Sequence, residues 1–133
     1  MSKRMTKGEF QESLGALNPV GHAVLAFPND AVAVEARAAL LQAGFAPEDI
    51  LTYTSGELFP NLDEMMRTAS GAAGFGYEIT LMRRYLAFAE EGAGWLIVYA
   101  PDDAAVQRLI DIAKRFDPLC AVRYHRLVNE DLL

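Results

Sequence analysis

Apolar runs and helical stripes alternate along this chain, and one arrangement of them occurs twice. Residues 22–27 (His-Ala-Val-Leu-Ala-Phe) are almost wholly apolar and lead into Pro28-Asn29-Asp30-Ala31. Residues 95–100 (Trp-Leu-Ile-Val-Tyr-Ala) are apolar and lead into Pro101-Asp102-Asp103-Ala104. Proline cannot donate to a ladder, so each one closes a strand. The Asn or Asp after it caps a helix, because its side-chain oxygen accepts from the free N–H groups of the first turn. A helical stretch follows both times, then a second strand-like run. Two βαβ halves therefore account for most of the chain.

The first half predicts a central strand over 22–27 and a helix over 30–43. Val34, Ala38 and Leu41 lie at helical spacing in that helix, and Phe45 lies just beyond. Gly44 suits its C-terminus, because it can take the left-handed conformation. Residues 50–54 (Ile-Leu-Thr-Tyr-Thr) predict a more polar, β-branched edge strand. The second half predicts a central strand over 95–100. A helix over 103–116 buries Val106, Leu109, Ile110, Ala113 and Phe116. A last strand over 120–128 sets Val122, Tyr124 and Val128 on one face, with Arg123 and His125 on the other.

Residues 55–93 interrupt this scheme. Ser55 or Asn61 opens a short helix with Leu62, Met65 and Met66, and a glycine-rich break follows at 70–76. Residues 77–91 predict a longer helix with Ile79, Met82 and Leu86 on one stripe and Leu81, Tyr85 and Phe88 on the next. Gly92 and Gly94 end it. The order of elements predicts a ferredoxin-like α+β sandwich, two βαβ units with a two-helix insertion between them. In that topology the first and third strands are central, and these are the two most apolar runs. The expected organisation is an N-terminal arm over 1–20 and a single domain over 21–133.

Composition narrows the classes. The chain has 133 residues, 52% of them hydrophobic, enough for a core without a metal or disulfide staple. A lone cysteine, Cys120, excludes an internal disulfide and a multi-cysteine zinc site. A net charge of −6 opposes sequence-independent nucleic-acid binding. The basic N-terminus runs into Glu9, Gln11 and Glu12 where a signal peptide needs its apolar centre, and no run is long enough to span a membrane. A cytoplasmic protein without membrane or nucleic-acid partners is expected.

Ala43-Gly44-Phe45-Ala46-Pro47-Glu48-Asp49-Ile50 resembles the "G-[FY]-x-x-x-D-I" turn of bacterial heat-induced, general-stress domains. Gly92-Ala93-Gly94-Trp95-Leu96-Ile97-Val98 resembles the "G-x-x-x-V-V" segment that opens their third strand. The resemblance spans roughly residues 22–128. It implies an apolar strand, a helix, this turn, a glycine-containing middle helix and a closing βαβ half. It brings no catalytic residue, and implies a stress-linked, non-enzymatic role.

Candidate chemistry is sparse. Gly71, Gly74 and Gly76 precede a helix, and Arg83 and Arg84 follow within it; together they make a candidate site for an anionic metabolite. The spacing is neither G-x-G-x-x-G nor a P-loop, so a hinge between helices is the structural alternative. His22 and His125, with Glu130 or Asp131, could approach across the sheet as metal ligands, or be two unrelated histidines. Cys120 is a nucleophile only beside a thiolate-stabilising group, and otherwise a small core residue. Trp95 and Tyr99 share a face of a central strand, as stacking aromatics do in RNA-binding sheets, but no Lys/Arg-Gly precedes them. The helix 77–91 is apolar over more than one face. Met82, Tyr85, Leu86 and Phe88 are therefore candidate interface residues, unless that helix covers the chain's own sheet.

Three functions follow from these residues. The first is a non-enzymatic association domain, a homodimer or one with another protein partner. The second is a regulatory domain binding an anionic metabolite. The third is a ferredoxin-like dimeric enzyme using His22, His125, Tyr99 or Tyr124. No motif calls for a cofactor, and none is expected.

Overall fold

A computed structural model describes residues 20–57, 76–125 and 129–133, and their side chains except at 76–80, 82 and 129. The expectations for residues 1–19, for the helix with Leu62, Met65 and Met66, for Gly71 and Gly74, for the side chains of Ile79 and Met82, and for Val128 lie outside the described residues.

The elements run β1 (His22–Phe27), α1 (Asp30–Gln42), a 3₁₀ turn (Pro47–Asp49), β2 (Ile50–Tyr53), α2 (Gly76–Glu90), β3 (Gly94–Tyr99), α3 (Asp103–Ala113), a 3₁₀ turn (Lys114–Phe116), β4 (Cys120–Tyr124) and β5 (Asn129–Asp131). Both helix starts follow the Pro-Asx rule. The Asn29 side chain accepts from the Val32 N–H at 2.9 Å, and Asp102 accepts from Ala105 at 2.8 Å. Replacing Asp102 with alanine should cost about 1 kcal/mol in urea unfolding, the usual worth of such a cap.

Two helix ends are also alike. Phe45 N–H reaches the Leu40 carbonyl and Gly44 N–H reaches that of Leu41; Ala93 reaches Phe88 and Gly92 reaches Ala89. Gly44 and Gly92 supply the positive φ that this double bond requires. After β2, Thr54 and Glu57 exchange side-chain bonds with each other's N–H groups, the capping box that opens a helical turn at residue 55.

The five strands form one antiparallel sheet in the order β2-β3-β1-β4-β5. This is an α+β protein, and the order of its first four strands is consistent with a ferredoxin-like class. β1 and β3 are central, as their apolar runs imply. β4 was expected at an edge and is not, because β5 pairs with it: Val122 faces Asp131 and Tyr124 faces Asn129. β5 is three residues long and polar, too short for a period-2 signal.

Helices cover both faces of the sheet. On one face Ala23, Leu25, Phe27, Ile50, Leu96, Val98 and Ala121 pack against α1 and α3. On the other, Val24, Ala26, Tyr53, Trp95, Ile97, Cys120, Val122 and Tyr124 pack against Leu81, Tyr85 and Ala89 of α2. Double coverage explains why all six residues of β1 are buried rather than every second one.

The face expected for α1 is wrong. Ala33, Ala36 and Leu40 are buried, whereas Val34 is 58% exposed. The helix is alanine-rich all round, so its sequence does not single out one face. Close approach decides it. A Cβ at Gly94 would lie 2.7 Å from Asn29 O and Asp30 Cα, and 2.8 Å from Ala33 Cβ. The small face of α1 sits directly on the first residue of β3.

Candidate functional site

A row of polar and aromatic side chains lies in the layer between the sheet and α2. Even-numbered residues of β1 and β4 and odd-numbered residues of β3 face this layer. His22 begins the row, 1% exposed. Its Nδ1 lies 3.1 Å from the Val20 carbonyl, which can only accept, so Nδ1 carries the proton. Its ring packs tilted at 5.1 Å on Tyr99, its cross-strand partner. From α2, the Tyr85 hydroxyl meets the Tyr124 hydroxyl at 2.8 Å in a buried bond. The Tyr85 ring also stands edge-on to Trp95 at 5.3 Å. Tyr85 thus ties α2 to β3 and β4 together.

Three of the four groups named for an enzyme, His22, Tyr99 and Tyr124, therefore lie in one layer. His125 does not join them. It pairs with Glu130 at 2.8 Å across the β4–β5 hairpin, one of the two carboxylates foreseen for it. No group of three or more His, Cys, Asp or Glu side chains suited to a metal occurs among the described residues. Trp95 is 0% exposed beneath α2, so it presents no stacking face.

Cys120 is buried in the same layer. Burial pushes its thiol from 9.0 up to about 11, and the nearby Arg84 charge offsets only part of this. The thiolate that nucleophilic chemistry needs is thus disfavoured at neutral pH. Burial, and then the Glu57 charge, likewise raise the Tyr53 phenol well above its ordinary value. The Cys120 proton, held more tightly in the fold, stabilises it fully below about pH 9, and that contribution is lost as pH rises toward 11. Urea titrations should show stability falling over that window, with about 2–3 kcal/mol of the fall removed in Cys120→Ala. Folded protein should also resist aromatic disulfide reagents at pH 7 and react only after denaturation.

The candidate anion site is only partly described. Gly76 is the first residue of α2, and Arg83 and Arg84 are exposed about two turns further along, roughly 10 Å from the helix start. Arg84 lies over the Phe88 ring at 6.0 Å. Of the candidate interface residues, Tyr85 is 1% exposed within the chain's own core, which corrects its assignment to an outer surface. Leu86 and Phe88 are half-buried against the same cluster. Among the described side chains, Leu81, Tyr85, Leu86 and Phe88 are apolar because they pack on the sheet.

Two features escaped the sequence reading. One is the Tyr85–Tyr124 hydroxyl pair, which depends on which sheet face α2 covers. The other is the outer side of β2, where among the described residues no strand pairs.

No protein-family model, curated protein or solved structure matches this chain significantly. Among the described residues, no helix is long and apolar enough to cross a membrane.

Proposed function

We propose that this protein is a non-enzymatic association domain, ferredoxin-like in its first four strands, that acts by pairing with a second copy of itself. The observation that supports this reading is the contrast between the two edges of the sheet. Both sheet faces are occupied by the chain's own helices, so a partner of the sheet is recruited at an edge. The β5 edge presents exposed Glu130 and Asp131 on a chain of net charge −6, and like charges oppose a second copy there. The β2 edge is Ile50-Leu51-Thr52-Tyr53, with neither charge nor proline. The resemblance to general-stress domains adds a non-enzymatic role of the same kind.

Sedimentation equilibrium from about 10 μM to 1 mM tests the reading, a range that brackets the dissociation constant of a small interface. A reversible rise in mass with concentration is expected. A constant monomer mass throughout would sink it.

A further inference from the structure

The register of the sheet fixes which backbone groups β2 offers outward. Ala100 N–H bonds to the Gly21 carbonyl at 2.9 Å, and β1 and β3 continue in that register. Residues 94, 96 and 98 of β3 therefore direct their backbone groups to β1, and 95 and 97 direct theirs to β2. Leu51 faces Ile97 and Tyr53 faces Trp95, so Leu51 and Tyr53 bond inward. The groups of Ile50 and Thr52 point away from the sheet. Ile50 N–H is already taken by the Pro47 carbonyl. Beyond Thr52, the N–H of Thr54 is held by the Glu57 carboxylate, and its carbonyl by the Glu57 N–H. Among the described residues, Thr52 is left as the one position of this edge that offers both a donor and an acceptor.

Resting on the association reading above, we infer that two copies pair antiparallel through β2, with Thr52 on the two-fold axis. Each Thr52 N–H donates to the carbonyl of the other Thr52, the narrow hydrogen-bonded pair of an antiparallel ladder. A strand that offers one donor and one acceptor at a single residue is complementary to itself under a two-fold rotation. The Ile50 N–H and both backbone groups of Thr54 are withdrawn into the chain's own turns, and this centres the pairing on Thr52 rather than on a neighbour. Leu51 then faces Tyr53 of the second copy on both sides of the axis. These are uncharged apolar–aromatic pairs of the kind that stabilise ladders. The contact joins two five-stranded sheets into one. It is short, so the dimer is weak, with a dissociation constant on the order of 10–1000 μM.

Amide hydrogen exchange and sedimentation on the full chain test this. In the native protein, exchange at Thr52 should slow as concentration rises, while Leu51, Tyr53 and Ile50 stay protected at every concentration. Thr52→Pro removes the outward N–H without touching the bonds to β3, and should weaken dimerisation about thirty-fold or more. Thr52→Val keeps the N–H and should dimerise like the native chain. A dimer whose Thr52 amide gains no protection, or that survives Thr52→Pro, overturns the edge pairing and leaves the association reading standing. A native chain that stays monomeric overturns both. Should Thr52→Pro fail to fold, the exchange result on the native chain decides alone.

Discussion

Replacing Gly94 with alanine lowers the stability of this protein by about 3 kcal/mol, the upper range for overpacking at a site that cannot yield. The added methyl would meet two backbone atoms of the α1 cap, Asn29 O and Asp30 Cα, at 2.7 Å, and the Ala33 methyl at 2.8 Å. None of these is the end of a flexible side chain. The helix must lift from the sheet, and the lift strains the Asn29 cap and loosens the contacts of Ala33 and Ala36. Urea unfolding measures the loss. A cost below about 1 kcal/mol would show that α1 does not rest on β3 as described. For comparison, Gly44 has open space around its missing Cβ and matters through its positive φ alone.

Tyr85→Asp should be more damaging still, at about 4–5 kcal/mol. The tyrosine is 1% exposed, holds the Tyr124 hydroxyl and stands against Trp95. An aspartate leaves a void beside Trp95 and an unpaired carboxylate in a dry layer. Against a total stability of about 5–15 kcal/mol, that loss detaches α2 from the sheet or unfolds the domain. The near-ultraviolet circular dichroism of Trp95 should collapse, and apolar dyes should bind. A folded variant with the native Trp95 signal and an unchanged urea midpoint would mean that Tyr85 faces outward. Phe88→Asp should cost less, because Phe88 is only half-buried.

Thr52→Val bears on stability as well as on pairing. The Thr52 Oγ1 is buried without a hydrogen-bond partner, so an isosteric methyl should raise stability by about 1 kcal/mol.

What could be read in advance was what local chemistry determines. Pro28 and Pro101 close β1 and β3, Asn29 and Asp102 cap the next helices, and Gly44 and Gly92 end theirs. Each of these rests on residues within a few positions of each other. The central placement of β1 and β3 also showed, because strands buried on both faces lose their alternation. Features decided by tertiary contact did not show. The buried side of α1 is set by Gly94, far along the chain. The sheet face beneath α2 decides whether Tyr85, Leu86 and Phe88 meet a partner or their own core. β5 exists because β4 offers it an edge, not because Asn129, Glu130 and Asp131 favour a strand. The site divides the same way: His22, Tyr99 and Tyr124 were legible as chemistry-bearing residues, but their shared layer and the Tyr85–Tyr124 bond were not.

For the proposed edge pairing, the β5 strand also bears on how many copies an assembly could hold. A sheet with two open edges has a valence of two and grows without limit, copy upon copy, into fibres. In the β2 pairing proposed above, β5 caps the other side with Glu130 and Asp131 and leaves a valence of one, so that pairing would stop at two copies. Deleting residues 129–133 would uncover the outward backbone groups of Ala121 and Arg123 on β4. The truncated chain should then pass from a weak dimer to open-ended polymers, seen as light scattering that climbs with concentration instead of levelling off.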